Sequence, residues 1–288
     1  MKPQTTKNPI THKYSLAYLT VPGTDPVTQI RIAREAGFDL VSLRTIPMHL
    51  PGEPEFLLHR DAGLFEAVRN ALDEYGIALN DIELARIRPD LDITEYAEAF
   101  RAAQKLGATD VLGSVWTRDR AFYTKTAVAV SRMARDCGLT YNIEFLPWAG
   151  VRNLQECITL IDDIRAAGCD NARIMVDTLH AGRSGVTREE LSRTDRSYFG
   201  FMHICDGPAG GDGDPVLNDI LDPLMLETAR EARLYPGDGV MDVKGMVDAV
   251  GSRVLSIELP NIAALKRVGA QEHARMCLVR AKNCIESQ

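Results

Sequence analysis

A single closed (β/α)8 barrel is the fold class this sequence predicts, and three observations carry the prediction. Short apolar runs alternate with amphipathic stretches from one end of the 288 residues to the other. Several of the amphipathic stretches stop on a glycine, at Gly37, Gly76 and Gly107, as helices do when the next residue must turn left-handed. No change of composition and no Pro/Ser-rich linker divides the chain, and a barrel of this kind takes ~250 residues. A doubly wound open sheet is the alternative for such alternation, but it normally uses fewer units.

Taken in order, the first strand is Tyr14 to Leu19, and its helix runs from Pro26, a residue suited to a first helical turn, to Ala36. Leu40 to Arg44 is the second strand, with a helix over Ala62 to Tyr75. Ile77 to Ala85 and Ile93 to Leu106 form the third unit. Val111 to Val115 with Arg120 to Cys137, and Thr140 to Phe145 with Leu154 to Ala167, give the fourth and fifth. Arg173 to Asp177 precedes a shorter helix near Thr187, and Phe199 to Cys205 is the seventh strand. The helix Val243 to Val250 leads into the eighth strand, Val254 to Leu259, and Ala270 to Ile285 closes the chain.

The domain expectation is a polar arm over 1–12 and one barrel over 13–288, carrying a long insertion after strand seven at 206–239. That insertion holds Gly207, Gly210, Gly211 and Gly213 and a helix-like patch from Asp222 to Arg233. Loops so long are usually functional or disordered, and this one is read as a cover for the barrel mouth.

Hydrophobic residues make up 45% and charged residues 25%, ordinary for a globular protein with a sizeable core. The formal charge of -7, with no basic stripe, argues against nucleic-acid or anionic-membrane partners, which draw affinity from clustered cations. Six scattered cysteines form no C-x-x-C pair, the amino terminus lacks the apolar stretch of a signal peptide, and no run approaches the ~20 apolar residues of a membrane span. The expected setting is the reducing cytoplasm. P-loop, H-E-x-x-H, G-x-S-x-G and Rossmann fingerprints are missing.

Chemistry in a (β/α)8 barrel sits at the carboxyl ends of the strands. Strands five to eight end in Asn142-Ile143-Glu144-Phe145, Met175-Val176-Asp177-Thr178, Phe201-Met202-His203-Ile204 and Ser256-Ile257-Glu258-Leu259. Each apolar strand finishes with one group able to ligate a metal, and the period-two alternation puts Asn142 with Glu144, and Ser256 with Glu258, on one face. Any one of these is an ordinary strand-end polar residue. Four on consecutive strands point to a single metal held by Glu144, Asp177, His203 and Glu258, since adjacent carboxylates repel without a cation. Three oxygen ligands and one imidazole suit Mn2+ or Mg2+, with Co2+, Fe2+ or Zn2+ as alternatives.

These residues resemble the xylose isomerase-like TIM barrel superfamily, the sugar phosphate isomerase/epimerase group, over nearly the whole chain. The matching pieces are Glu144-Phe145-Leu146-Pro147-Trp148, Val176-Asp177-Thr178-Leu179-His180, His203-Ile204-Cys205-Asp206 and Ile257-Glu258-Leu259. The resemblance is specific for fold and metal, and weak for substrate. It implies that Glu144 and Glu258 flank the substrate and move protons as well as holding metal. It also implies His180 as a ligand of a substrate oxygen or a proton donor, the competing reading being a loop histidine that caps a carbonyl.

Independently, a carbon acid beside a carbonyl needs a base in reach and a Lewis acid for the oxygen that gains charge. A carboxylate on each face gives epimerisation; loss of a β-hydroxyl gives dehydration instead. The expected function is therefore a divalent-metal-dependent isomerase or epimerase of a sugar, sugar phosphate or cyclitol-type hydroxyketone. A lyase resembling 3-dehydroshikimate or inosose dehydratases is the alternative. An endonuclease IV-like repair enzyme, which would need more histidines and a basic face, and a non-catalytic ligand-binding barrel are the other classes.

Further candidates have two readings each. Arg183, in the turn Gly182-Arg183-Ser184-Gly185, is a carboxylate or phosphate anchor or a solvated arginine. Trp148 is a wall against a sugar face or loop packing. Arg44, Glu83 and Arg86 line the mouth or form a rim ion-pair network. Arg230 and Arg233 reach an anionic substrate from the insertion or lie exposed on a helix. His12, His49, His59 and His273 are assigned no role. The expected partner is a small polyhydroxylated substrate, and the resemblance permits a homodimer or homotetramer.

Overall fold

Eight parallel strands close into one barrel in sequence order, β1 bonding both β2 and β8. The structure is a computed structural model and describes residues 10–209 and 223–287. Gly210, Gly211, Gly213 and Asp222 of the insertion lie outside those residues, as does most of the arm. The strands are β1 Lys13–Leu16, β2 Leu40–Arg44, β3 Ala78–Ile87, β4 Asp110–Val115, β5 Thr140–Glu144, β6 Ala172–Asp177, β7 Phe199–Ile204 and β8 Val254–Ile257. The helices are α1 Pro26–Ala36, α2 Ala62–Tyr75, α3 Tyr96–Lys105, α4 Arg120–Asp136, α5 Leu154–Ala166, α6 Thr178–Arg183, α7 Arg188–Arg193, α8 Pro223–Glu231, α9 Val243–Val250, α10 Ile262–Val268 and α11 Ala270–Glu286.

Local chemistry explains many of the boundaries. Asp25 caps α1 by accepting from the Thr28 amide at 3.0 Å, Pro26 fills the first turn, and Gly37 ends the helix at φ 94°. The departures from expectation are also local. Tyr18 to Thr20 form a 3-10 turn where strand one was expected to continue, and Ile93 to Glu95 form another ahead of α3. Strand β3 runs on through Arg86 to Ile87. Two short helices, α6 and α10, replace what read as turn and loop. Each is capped by a side chain, Asp177 for α6 and Asn261 for α10.

Apolar side chains on the outer strand faces pack with the helices into one large core that includes Val41, Val111, Tyr141, Val176 and Ile257. Leu84, Leu112, Met175 and Phe201, with Met48, make a separate apolar cluster. Leu112, Met175 and Phe201 lie two residues before Ser114, Asp177 and His203, so the alternation of a strand turns them toward the barrel axis with the site residues above. By the same count Ser42, Asp81, Asn142 and Ser256 lie beneath Arg44, Glu83, Glu144 and Glu258. No helix among the described residues is long and apolar enough to cross a membrane. All six cysteines are free.

The return of the insertion is held by one side chain. The Asp206 carboxylate accepts from the amides of Gly237, Gly239 and Met241 at 3.0, 3.0 and 2.9 Å, and from its neighbour Gly207 at 2.8 Å. At Gly239 a Cβ would overlap that carboxylate and the Gly207 carbonyl, so the close approach requires glycine.

Candidate metal centre and cavity

Register brings the four strand-end groups together. Asp177 pairs with His203 across β6 and β7, and His203 pairs with Ser256, which places Glu258 just beyond the end of β8. One ligand atom from each of Glu144, Asp177, His203 and Glu258 lies within 4.8 Å of the others, and all four residues are buried. His203 Nδ1 is 3.4 Å from Glu258 Oε2, and His180 Nε2 is 3.7 Å from Glu144 Oε1. Among the described residues Glu144 Oε1 and both ring nitrogens of His203 have no hydrogen-bond partner. Buried polar atoms are rarely left so, and three carboxylates with an imidazole are a fitting donor set for a divalent cation. The residues fit a metal.

Arg233 is the unexpected member. It is 2% exposed rather than on a solvated helix face, because the chain after α8 folds down through the bridge Ala232–Asn261. Its guanidinium reaches Asp177 at 2.6 Å and Glu258 at 2.7 Å, and donates to the carbonyl of Ala229 at 2.8 Å. It also lies 3.4 Å from His180 Nε2. Asp177 spends its second oxygen on the amide of His180, capping α6 at 3.0 Å and fixing that imidazole. Trp148 meets the His180 ring edge-on, with centroids 5.0 Å apart.

The environment drives these groups apart in proton affinity. Burial, then the Glu258 and Asp177 charges, push the Glu144 carboxyl well up. Burial acts on Glu258 in the same direction, but Arg233 and His203 outweigh it and hold that carboxyl far below its usual range. Asp177 is lowered likewise, burial being overcome by Arg233 and then His180. Burial alone would neutralise His203; Glu258 and the other acids raise it to about 10. Burial lowers His180 to about 4, so it is neutral near pH 7.

Above the cluster lies a cavity of about 450 Å3, within the range of small-molecule sites. Glu144, Glu258, His180 and Arg233 line it, whereas Asp177 and His203 do not. One wall is apolar, with Leu112, Leu146, Trp116 and Trp148 among its residues. Arg44, Glu53 and Glu83 form a polar wall beside it. Arg44 donates to Glu53 at 2.7 Å and Glu83 at 3.0 Å, and the second Glu83 oxygen accepts from the Tyr18 amide at 3.2 Å. Arg230 lines the rim from α8 and is exposed.

The structure therefore brings Glu144, Asp177, His203, Glu258, His180, Trp148, Arg233, Arg44 and Glu83 to one mouth. It does not bring Arg183 there. That side chain donates to the Pro208 carbonyl at 2.8 Å and lines no part of the cavity, because α6 turns it outward. Arg86 is likewise spent on the Met48 carbonyl at 2.8 Å. Sequence reasoning missed Glu53, which arrives from an irregular loop, and Asp81, which shares the inward face of β3 with Glu83. Burial and then the Glu83 charge raise Asp81 to about 7.

A closed parallel barrel with a buried carboxylate–imidazole cluster at its carboxyl-terminal mouth, able to hold a metal, defines the class: a (β/α)8 barrel with a candidate metal site. Residues 30–278 match the family model described as "Xylose isomerase-like TIM barrel", and the chain belongs to that family. Similar solved structures include the IolI protein with a bound zinc atom, at TM-score 0.76 and 18% identity, covering 95% of this chain and 98% of that one. D-allulose 3-epimerase from Methylomonas sp. aligns at TM-score 0.65 and 14% identity, covering 96% and 99%. The probable 3-DHS dehydratase AsbF from Bacillus anthracis aligns at TM-score 0.69 and 15% identity, covering 94% and 98%. No curated protein sequence matches the chain.

Proposed function

We propose that this protein is a divalent-metal-dependent isomerase or epimerase acting on a neutral, polyhydroxylated hydroxyketone of the sugar or cyclitol kind. One observation carries the reading. Of the four ligand candidates only Glu144 and Glu258 line the cavity, and their proton affinities are driven in opposite directions. Two titratable groups tuned apart within one site are the mark of an acid/base pair.

Asp177 and His203, beneath the cavity, serve as anchors. A bound Mn2+ or Mg2+ would supply Lewis-acid stabilisation of the substrate oxygen. Glu258, kept ionised by Arg233, takes the proton from the carbon beside the carbonyl, and Glu144, which holds its proton, returns one on the other face. His180, neutral and fixed by Asp177 and Trp148, donates a hydrogen bond to a substrate oxygen. Trp148 and Leu146 exclude water. Arg44 is already paired with two carboxylates, so the polar wall favours hydroxyls over a phosphate or carboxylate, which would meet Glu53 and Glu83 first.

Dehydration is the second reading, favoured by the placement of neutral His180 beside Glu144, where a leaving hydroxyl could be protonated. Incubating the metal-loaded protein in D2O with a panel of ketoses and inososes decides between them. Deuterium entering beside the carbonyl with retention of the hydroxyl supports epimerisation, and an enone chromophore supports dehydration. Neither signal across the panel removes both.

A further inference from the structure

The layer beneath the cluster holds one buried acid that the proposed chemistry leaves unused. Asp81 is completely buried and faces the barrel interior one step below Glu83. Its Oδ1 accepts from Ser42 Oγ and, at 2.8 Å, from Asn80 Nδ2, whereas Oδ2 has no partner. Ser42 Oγ also meets Ser15 Oγ at 2.9 Å and Ser256 Oγ at 3.4 Å. Ser256 is the register partner of His203. A polar thread thus runs from Asp81 through β2 and β8 to the residue alongside His203. Strands β3 and β7 stand opposite in an eight-stranded barrel, so their inward side chains meet near the axis.

His203 poses a matching problem. Nδ1 faces Glu258 and is the nitrogen on the ligand side. An imidazole that ligates through one nitrogen carries its proton on the other, and that N–H almost always has an acceptor. Nε2 has none, and His203 is 1% exposed, so no bulk water reaches it. Leaving such a buried donor unpaired is destabilising, because its lost hydration is not replaced. On the inward face, the unpartnered oxygens among the described residues are Asp81 Oδ2, Asn142 Oδ1 and Glu144 Oε1. Glu144 is itself a ligand candidate. Asn142 is turned to the other end of the barrel, its amide donating to Asp110 at 2.7 Å and its oxygen packed against Gly200. Asp81 remains, and the His203 ring is near enough to act electrostatically on its carboxyl.

We propose that Asp81 is a positioning residue: it accepts the Nε2 proton of His203 across one buried water, and so locks the imidazole with Nδ1 toward the other three ligands. The inference rests on the metal-binding part of the function proposed above and names a residue on the far side of the barrel as part of that site. Such outer partners set metal affinity without touching substrate.

The test is metal affinity, read by competition with a chromophoric chelator using Mn2+ or Zn2+ alone. Asp81→Leu, similar in volume and unable to accept, is expected to bind ~10–100-fold more weakly. Asp81→Asn keeps a neutral acceptor and is expected to lose less. In the zinc-loaded, 15N-histidine-labelled protein the His203 Nε2 proton should be visible and slow to exchange, and should vanish in Asp81→Leu. Affinities within twofold of wild type for both variants overturn the proposal, as does a His203 Nε2 proton that exchanges freely. Should the variants not fold, the wild-type spectrum decides alone. A wild-type protein that binds no divalent metal sinks this inference together with the proposed function; normal wild-type binding with unaffected variants sinks this inference only.

Discussion

The two sides of the barrel mouth are built from the same residue types and differ in what they lack. On β2 and β3, Arg44 sits between Glu53 and Glu83, and each carboxylate oxygen that faces it is engaged. On β5 to β8, two of three carboxylates, Asp177 and Glu258, share one guanidinium, and among the described residues Glu144 Oε1 and both His203 nitrogens stay unpartnered. In the first cluster every charge is paired, with Arg44 Nε the atom left over, and the cluster shapes the cavity. The second has the donor set to hold a further cation. Acidic residues at strand ends do not by themselves mark a metal site; the account of which polar atoms are left over does.

The largest effect should separate the clusters by chemistry. Glu258→Gln is expected to lower turnover by ~10^2–10^4-fold, the usual worth of a positioned acid or base, with ligand affinity falling much less. Equal ligand affinity and undiminished biological effect would instead mark a non-catalytic binding barrel. Arg233→Met should come next. It leaves Asp177 and Glu258 buried and short of a cation, which costs ~3–5 kcal/mol in denaturant unfolding. Saturating Mn2+ should restore part of that loss, because a ligand bound only by the folded state stabilises it. An unfolding curve that metal does not shift would contradict the placement of Arg233 against the ligands.

Proton release sharpens the comparison further. Glu144 is held up by burial and its acidic neighbours, and His203 is raised to about 10. Both carry protons near pH 7, and His203 must lose its second one to ligate, so metal affinity should rise with pH until His203 has titrated near pH 10. Calorimetry in buffers of different ionisation enthalpy reads the protons released; pH-independent binding between pH 6 and 9 would break the assignment. The smallest effect on the metal belongs to the rim. Arg44→Leu should raise KM by ~10-fold or more through the loss of a hydrogen-bonded charge pair, while metal affinity stays within about twofold. A large loss of metal affinity there would join the two clusters into one.

Strand-end reading anticipated which side chains meet where their placement follows from strand parity. Glu144, Asp177, His203 and Glu258 were legible because each sits at the end of an apolar run, and parallel strands in sequence order put their ends side by side. His180 was legible only through the motif around Asp177, and the structure supplied its reason: Asp177 caps the short helix that holds it. Arg183 misled because a turn rich in glycine looks open, while the chain there is the end of α6 and directs the guanidinium to Pro208. Arg233 kept two readings, an anion-binding residue or an exposed helix arginine, because nothing local shows that the chain after α8 bends into the mouth.

The sequence by itself determined the barrel, its eight units and the inward face of the strands that end in Glu144 and Glu258. Those follow from short-range periodicity and from the few ways amphipathic helices can cover a parallel sheet. Tertiary structure alone decided which charges meet. Arg233 reaches Asp177 across 56 positions and Asp81 lies opposite His203 because closure of the barrel joins strands far apart in the chain. Coulomb energy and desolvation depend on distance in space and on burial, and neither quantity is encoded in spacing along the sequence.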